Sequence, residues 1–347
     1  MKSISGRLRR VVRGVVGGGA PPVKQQQGSA GTRASVPQPD VDFAMIVGAQ
    51  RSGTTWLQLL CAAHPKIAGS EELHLFSRYL GHLIASYYND LRHYAEAGRS
   101  QGLPTLLSTD EFDDAVRQFA MTVLEKLLKG KPGAALAIEK TPDHVLHLHY
   151  IRHLFPKAKI IHVIRDPRDV VVSQLAAGAS WGEDWAPKDA AEAAARWVEW
   201  VSTGRRYASD GYLEVRYETL IEDGPRELAR VYNFLGHPLP ADQVERIYQQ
   251  FTMANIKSGK APNVLVILRE TVVSGSVALA GAAMPTRPAG RKPPEGFYRK
   301  GKAGGWRESL AEADVRTIQR IAGPLMRELG YAHAEFPPAL EPAAASA

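Results

Sequence analysis

The chain has 347 residues, of which 44% are hydrophobic, 23% charged and 8% aromatic; this composition is typical of a globular protein that is long enough to bury a full core. Its one cysteine, Cys61, excludes an internal disulfide and a cysteine-rich metal site and favours a reducing compartment, so we predict a cytoplasmic protein. Because no run of about 18 apolar residues is present, we expect no membrane span.

The positive charge is concentrated at the N-terminus. Residues 1–40 contain seven Lys and Arg residues and one acid, so they account for six of the seven net positive charges. The rest of the chain is nearly neutral, and we expect no nucleic-acid partner. Stretches such as GGGAPP and KQQQGS bury too little apolar surface to become ordered, so residues 1–40 are interpreted as a disordered extension. Its basic start could also contact anionic lipid as an amphipathic helix, or act as an organellar targeting peptide.

The predicted elements begin near Val41. The apolar run FAMIVGA predicts a buried strand, and TTWLQLLCAA, after a glycine-bearing loop, has helical spacing up to Pro65. Further strands are predicted at 158–167 and 211–220, each followed by a helix, and helical patterns cover 110–129, 144–155, 189–209 and 311–329. Alternating strands and helices predict an α/β domain over residues 41–333, with three α/β/α layers around a central parallel sheet. Residues 334–347 are interpreted as a disordered tail.

The string GAQRSGTTW resembles a nucleotide-binding P-loop that lacks one part. Gly48 and Gly53 have the spacing of G-x-x-x-x-G-K-[ST], but Thr54 stands where the lysine should be. Loop N–H groups and a helix N-terminus attract anions, and Arg51 adds a permanent cation with a planar fork of donors. The string therefore predicts a phosphate or sulfate site; a tight turn with a solvated arginine is the alternative.

Together with the rest of the chain, QRSGTTWL resembles the sulfotransferases that use PAPS (3′-phosphoadenosine 5′-phosphosulfate). The resemblance covers roughly residues 43–330 and implies a P-loop NTPase-like sulfotransferase fold, PAPS as sulfuryl donor and no metal. It also implies that the first loop cradles the 5′-phosphosulfate, through Arg51, Ser52, Gly53, Thr54, Thr55 and Trp56.

The second motif is VIRDPRDVVVSQ. Arg165 ends a predicted strand and Ser173 lies eight residues later in a helix, so both side chains can converge on one anion at the crevice of the sheet. The resemblance implies that this anion is the 3′-phosphate of PAPS; by itself the string is more often a solvated charged loop. Tyr217 holds a position that lies near the adenine in many members of the family, although a core tyrosine fits nearly as well.

A third motif, YRKGKAGGWRESL, resembles a late segment that closes over the 3′-phosphate end in this family. The resemblance implies that Arg299, Lys300 and Gly301 make those contacts. Many members have G-D-W where this chain has Gly304-Gly305-Trp306, so the source of local order is open, and Trp306 could be core or lid. Residues 255–295 do not resemble the family, and their Gly and Pro clusters predict a lid or a disordered loop.

The segment GSEELHLFSR holds the candidates for a general base. In the tyrosylprotein and heparan-type sulfotransferases a glutamate at this place has that role, so the resemblance selects Glu72, with Glu71 and His74 as alternatives; His74 could also contact the acceptor. We expect a dry pocket to raise the pKa of the carboxylate, which could then take a proton from an acceptor hydroxyl. A surface glutamate pair that caps a helix is the alternative.

Lys140, in AIEKTPDHV, resembles the lysine of the family's E-K-[ST]-P segment, which lies beside the sulfuryl group. Such a lysine can neutralise charge on the bridging oxygen; a solvated lysine at a strand end is the alternative. The predicted reaction is in-line sulfuryl transfer in which Glu72 is the base and Arg51 and Lys140 stabilise the transferring group.

Two other classes of function remain open at this point. A P-loop nucleotide kinase would require magnesium and a lysine after Gly53, and a catalytically inactive protein would bind PAPS without transfer. The acceptor, whether a small molecule, a glycan or a peptide, is undetermined because acceptor pockets come from variable loops, which we predict at 73–110, 176–190 and 255–295. The aromatic residues of SYYNDLRHY and WGEDWAP could form an apolar wall there or could pack in the core.

Overall fold

The computed structural model describes residues 41–98, 102–266 and 301–331, all of which belong to the compact unit Pro39–Ala347. The two segments predicted as disordered tails, 1–40 and 334–347, lie outside the described residues. Within the described ranges, no helix is both long enough and apolar enough to cross a bilayer.

A parallel sheet forms the middle layer of the described part. Its strands are β1 (Phe43–Gly48), β2 (Ile67–Gly69), β3 (Leu136–Lys140), β4 (Lys159–Ile164) and β5 (Tyr212–Arg216). They are arranged in the order β2-β3-β1-β4-β5 with every pairing parallel. The chain passes from one side of β1 to the other between β3 and β4, and such a switch point leaves a crevice at the carboxyl ends of the strands.

Helices cover both faces of this sheet. They are α1 (Thr54–Ala62), α2 (Gly81–Ala97), α3 (Thr109–Lys129), α4 (Leu148–Leu154), α5 (Pro167–Gly178), α6 (Ala190–Arg206), α7 (Tyr217–Glu222), α8 (Gly224–Leu235), α9 (Ala241–Gln250), α10 (Met253–Lys257) and α11 (Glu312–Glu328). A π-helix at Leu75–Leu80 precedes α2, and 3₁₀ turns lie at Leu103–Thr105, Pro142–His147 and Gly305–Glu308.

Alternate residues of β1 enter opposite halves of the core, as the period of a strand requires. Met45 belongs to a cluster with residues of α2, α3 and α4. Ile46 belongs to a second cluster with residues of α1, α8 and α9. The predicted three-layer α/β/α architecture with a central parallel sheet is therefore confirmed.

Three sequence predictions of local structure need correction. The strand predicted at 211–220 ends at Arg216, because α7 begins at Tyr217. The helix predicted at 144–155 is a 3₁₀ turn as far as His147 and an α-helix only from Leu148. The variable loop predicted at 73–110 consists largely of the π-helix and α2. Few residues of α2 are buried, so its sequence is mostly polar and its helical pattern is weak.

Burial of a histidine in β4 makes the stability of the fold depend on pH. The His162 ring is fully buried and hydrogen-bonded to the Tyr212 hydroxyl, and burial, with Arg205 and Arg216, lowers its pKa to about 3. Since an unfolded histidine has a pKa of about 6.5, only the unfolded chain gains this proton as the pH falls from about 6.5 toward about 3. Over that window His162 should lower the free energy of unfolding by up to about 1.4 kcal/mol per pH unit.

Urea unfolding of a His162→Gln variant between about pH 6 and about pH 5 measures this effect. The variant should lose that part of the pH dependence, whereas His93→Gln, which changes an exposed histidine of α2, should keep the wild-type dependence. Equal dependence in wild type and His162→Gln would contradict the assignment.

Candidate active site

The backbone between β1 and α1 has two positions with a positive φ angle that glycine adopts easily. Gly48 has a φ angle of 151° and Gly53 one of 96°. A Cβ atom would lie 2.4 Å from the Val163 carbonyl oxygen at the first position and 2.3 Å from the Tyr217 ring at the second. The loop therefore packs tightly against β4 and Tyr217, and it enters α1 at Thr54, where the helix N-terminus favours an anion.

Arg51 connects this loop to the second motif. Its φ angle of 72° is uncommon for a residue other than glycine, and such strain is found mainly at functional sites. The Nε atom donates a hydrogen bond of 3.0 Å to Ser173 Oγ on α5, and the guanidinium carbon lies 5.3 Å from the centroid of the Trp181 ring. The cation of the first motif thus lies beside the hydroxyl of the second.

Arg165 completes this group of cations. It directly follows β4 and is only 8% exposed, and its guanidinium lies 4.1 Å from the centroid of the Tyr217 ring. It donates hydrogen bonds to the carbonyl oxygens of Arg51 (3.2 Å) and Lys302 (3.1 Å). The structure therefore brings together the residues expected at the two ends of the donor, Arg51 with Arg165 and Ser173.

A cavity of about 340 Å³ opens beside these residues. Its lining combines both anion motifs, the segment of the base candidates and the late segment. The predicted site residues in that lining are Arg51, Gly53, Thr54, Thr55, Trp56, Glu72, His74, Arg165, Ser173, Tyr217 and Gly301. Ser52 and Lys140 are buried and lie outside the lining, and Arg299 and Lys300 lie outside the described residues.

Trp56 and Tyr217 belong to the core and to the cavity wall at once. The Trp56 Nε1 donates to the carbonyl oxygen of Phe251 at 2.7 Å, and the Trp56 and Tyr217 rings meet edge to face with centroids 5.7 Å apart. Both side chains are almost fully buried and line the cavity. Tyr217 can therefore be a core residue and also contact a ligand in the cavity.

Lys140, the last residue of β3, is held inside the site. It is only 3% exposed, so it is not the solvated strand-end lysine considered above. Its Nζ donates to Thr55 Oγ1 at 3.1 Å and forms an ion pair with Glu72 Oε1. The pair joins two of the three predicted catalytic side chains and places both beside the first loop, which carries the third, Arg51.

The surroundings of Glu72 differ from the expectation in one respect. The dry pocket predicted around its carboxylate is not found, because 34% of the side chain is exposed and Lys140 lies against it. Glu71 is exposed and does not line the cavity, so Glu72 is the better placed of the two candidates.

His74 lies next to the Glu72 carboxylate. Its Nε2 is 3.5 Å from Glu72 Oε2, and its φ angle of 52° is left-handed. Burial, with a further contribution from Arg78, lowers the pKa of His74 below its usual value, although Asp143 and Glu72 act in the opposite direction. A neutral ring beside the carboxylate can accept or donate a hydrogen bond to an acceptor hydroxyl.

Asp169 supplies the acid that the late segment lacks. Its carboxylate accepts hydrogen bonds from the Gly304 N–H (2.7 Å) and the Trp306 N–H (2.9 Å). Trp306 itself packs against the Arg168 guanidinium, 4.1 Å from the ring centroid, and is absent from the cavity lining. The segment that follows Gly301 is thus attached to α5 by a residue of the second motif.

Some functional residues escaped the sequence analysis. Asp169 is the second aspartate of RDPRD, and it lies 3.9 Å from Arg165 across the junction of β4 and α5, a contact that the string alone does not indicate. Lys302 and Met253 also line the cavity; Lys302 belongs to the third motif without being one of its predicted contacts, and Met253 lies in no motif. In the described part of the chain, no group of three or more His, Cys, Asp or Glu residues is arranged to hold a metal ion.

Comparison with known proteins identifies the family. The model of the Sulfotransferase family matches residues 44–241, more than half of the chain. The chain belongs to the sulfotransferase family. Rat sulfotransferase 2A1 is 22% identical over 231 residues, which are 60% of this chain and 71% of the relative. Zebrafish (Danio rerio) protein-tyrosine sulfotransferase 1 is 29% identical over 203 residues, 57% of this chain and 54% of the relative.

A solved structure supports the sulfotransferase fold. The crystal structure of mouse sulfotransferase SULT7A1 complexed with PAP superposes with a TM-score of 0.50 at 15% identity, covering 84% of this chain and 88% of that one. Similarity at this level shows the fold alone. Membership of the sulfotransferase family does not favour the nucleotide kinase that the loop spacing had left open.

Proposed function

We propose that this sulfotransferase transfers a sulfuryl group from PAPS to a hydroxyl or amine acceptor and releases adenosine 3′,5′-bisphosphate. The observation that carries the proposal is the convergence of the two predicted anion motifs in one cavity. Arg51 donates to Ser173 Oγ and Arg165 donates to the Arg51 carbonyl oxygen, while the Lys140–Glu72 ion pair adjoins the same loop through Thr55. A donor with separate 3′-phosphate and phosphosulfate groups matches two such anion sites, whereas ATP has no 3′-phosphate.

The polar atoms of the site fit such a donor. Among the described residues, twelve buried side-chain atoms have no hydrogen-bond partner, and two of them are Arg165 Nε, beside the cavity, and Ser52 Oγ, in the first loop. Buried donors are nearly always satisfied in native proteins, by a ligand if not by the chain itself. Phosphate oxygens are the natural partner of an arginine fork, so these unpaired atoms support an oxyanion ligand.

The chain's own residues then have separable roles in the reaction. PAPS, when bound, supplies the sulfuryl group on a good leaving phosphate. Glu72 takes the proton from the acceptor oxygen, and Lys140 stabilises the charge that develops as the sulfuryl group leaves. Arg51 holds the donor in line for attack, and such positioning with fixed charges supplies most of the rate in transfers of this kind.

Two tryptophans support an acceptor with an apolar or aromatic face. Trp181 and Trp185 are half-buried, their ring centroids lie 5.5 Å apart, and both side chains line the cavity. Neither is a member of the hydrophobic clusters formed by the described residues, so core packing does not explain them. The wall they form suits a small hydroxylated molecule, a glycan ring or a peptide tyrosine.

Incubation of the purified full chain with sulfur-labelled PAPS and an acceptor panel tests this function. The panel contains a simple phenol, an aliphatic alcohol, a saccharide and a tyrosine peptide. We expect labelled product and adenosine 3′,5′-bisphosphate in equal amounts, without added metal. Transfer of the γ-phosphate of ATP in the presence of magnesium would instead indicate a kinase, and PAPS binding without transfer to any acceptor would indicate an inactive binding protein.

A further inference from the structure

The segment that carries Glu72 and His74 is held by side chains from β3 and the turn after it. Residues 70–74 form no helix or strand, so their backbone N–H groups need partners from elsewhere. Two such groups are bonded to side chains, the Leu73 N–H to Glu139 Oε1 (3.3 Å) and the His74 N–H to Thr141 Oγ1 (3.1 Å). The Phe76 N–H, in the first turn of the π-helix, is bonded to His144 Nε2 (3.0 Å). We call Glu139, Thr141 and His144 the clasp.

The members of the clasp also contact one another. All three are completely buried. The Thr141 hydroxyl donates to Glu139 Oε1, and His144 Nδ1 lies 2.9 Å from Glu139 Oε2. Because His144 Nε2 accepts the Phe76 N–H, the proton of the ring is on Nδ1, the nitrogen nearer the Glu139 carboxylate. Burial acts to raise the pKa of Glu139, but His144, Thr141 and Lys140 outweigh it, so the pKa lies below its usual value.

Stability alone does not explain a buried polar group of this kind. Removing a carboxylate and an imidazole from water is costly, and apolar side chains of similar size often stabilise a core as well or better. An apolar neighbour is already present, because the Phe76 ring meets the His144 ring edge to face with centroids 5.6 Å apart. Its bonds to the backbone all go to one short segment, which holds the left-handed His74 and is continuous with Glu72.

The register of β3 connects the clasp to the reacting groups. Glu139 and Lys140 are neighbours on the strand, so their side chains leave it on opposite faces. Lys140 pairs with the Glu72 carboxylate, while Glu139 holds the backbone of the next residue, Leu73. The end of one strand therefore holds the backbone next to Glu72 as well as its carboxylate.

We propose that the clasp positions Glu72 for proton transfer, which makes Thr141, Glu139 and His144 positioning residues of the reaction. The inference rests on the proposed function, in which Glu72 is the base. If the clasp is broken, the segment shifts and Glu72 moves relative to the acceptor, and a displacement of about 1 Å can cost about a hundredfold in rate. Donor affinity is preserved, because Arg165 and Ser173 belong to other elements.

A Thr141→Val variant tests the clasp at nearly constant volume. It removes the hydroxyl that donates to Glu139 and accepts the His74 N–H, whereas Thr141→Ser keeps that hydroxyl. We expect Thr141→Val to lower kcat by about tenfold to a hundredfold, with the Kd for adenosine 3′,5′-bisphosphate unchanged and Thr141→Ser close to wild type. Rates are counted per folded site, titrated with the bisphosphate, so that a loss of folded protein does not count as a loss of rate.

Thr203→Val is the matched control. Thr203 is a buried threonine of α6 whose hydroxyl accepts a hydrogen bond from Arg206, and it does not line the cavity. Its variant loses a comparable buried hydroxyl and should keep the wild-type kcat.

A double-mutant cycle with Glu72→Gln separates positioning from a general loss of structure. If Thr141 acts through Glu72, Thr141→Val has no further effect on kcat once Glu72 is replaced. Equal losses in both backgrounds, or a Kd that rises as much as kcat falls, would overturn the inference. Glu139→Gln enters the same cycle with the same expectation, should Thr141→Val fail to fold. A wild-type chain that binds the bisphosphate but transfers nothing would overturn the proposed function, and this inference with it.

Discussion

Glu72→Gln should lower kcat by about 10²–10⁴-fold, the usual contribution of a positioned general base. The amide has nearly the same shape as the carboxylate but cannot accept the acceptor's proton. The Kd for adenosine 3′,5′-bisphosphate should change little, because Arg51, Arg165 and Ser173, the side chains proposed to bind its phosphates, remain in place. Steady-state transfer assays and calorimetric titration of the bisphosphate give the two quantities separately.

The neighbouring glutamate provides a close control. Glu71 is exposed and outside the cavity lining, so Glu71→Gln changes the net charge equally and should keep full turnover. Full turnover in Glu72→Gln would show that another group is the base, and His74, 3.5 Å from the Glu72 carboxylate, would then be the next candidate.

Arg165→Ala should weaken binding of adenosine 3′,5′-bisphosphate by about 100-fold, since loss of a buried, hydrogen-bonded charge partner costs about 2–5 kcal/mol. The effect should depend on the 3′-phosphate. Wild type should bind the bisphosphate much more tightly than adenosine 5′-monophosphate, and the variant should bind the two nucleotides about equally. Competition against labelled PAPS measures both affinities.

Arg216 offers a matched control for this second prediction. It ends β5 as Arg165 follows β4, it lies over a tyrosine ring (Tyr331, 4.7 Å) and it donates to a backbone carbonyl, but it is outside the cavity lining. Arg216→Ala should leave nucleotide affinity unchanged. An unchanged preference for the bisphosphate in Arg165→Ala would mean that the 3′-phosphate is bound elsewhere.

Local patterns in the sequence predicted most of the fold. Each of these patterns is a contiguous string: the apolar runs of β1 and β4, and the glycine spacing of the first loop. A short run of apolar residues is typical of a parallel strand that is buried on both faces. The error at 211–220 has the same origin: Arg216 and Tyr217 continue a strand-like composition, but Tyr217 packs beside Gly53 and begins α7. That contact joins positions more than 160 residues apart, which no local pattern encodes.

The composition of the candidate site was also available from the sequence, because each motif is a short string at the carboxyl end of a strand. Arg51, Glu72, Lys140, Arg165 and Ser173 were all named from such strings, and parallel strands bring their carboxyl ends to one edge of a sheet. The pairings within the site were not available. The ion pair of Lys140 with Glu72 and the hydrogen bond of Arg51 to Ser173 depend on strand order and on side-chain direction.

Two further features were decided by the tertiary structure alone. The late segment lacks its own acid, and Asp169 of α5 replaces it; the base segment lacks regular backbone partners, and the clasp of β3 provides them. In both cases the partners are more than 60 residues apart in sequence. The sequence by itself therefore determined which candidate anion-binding and catalytic groups this sulfotransferase contains. Their exposure, their pairing and the support behind the base follow from long-range packing, which depends on the whole fold and not on any one string.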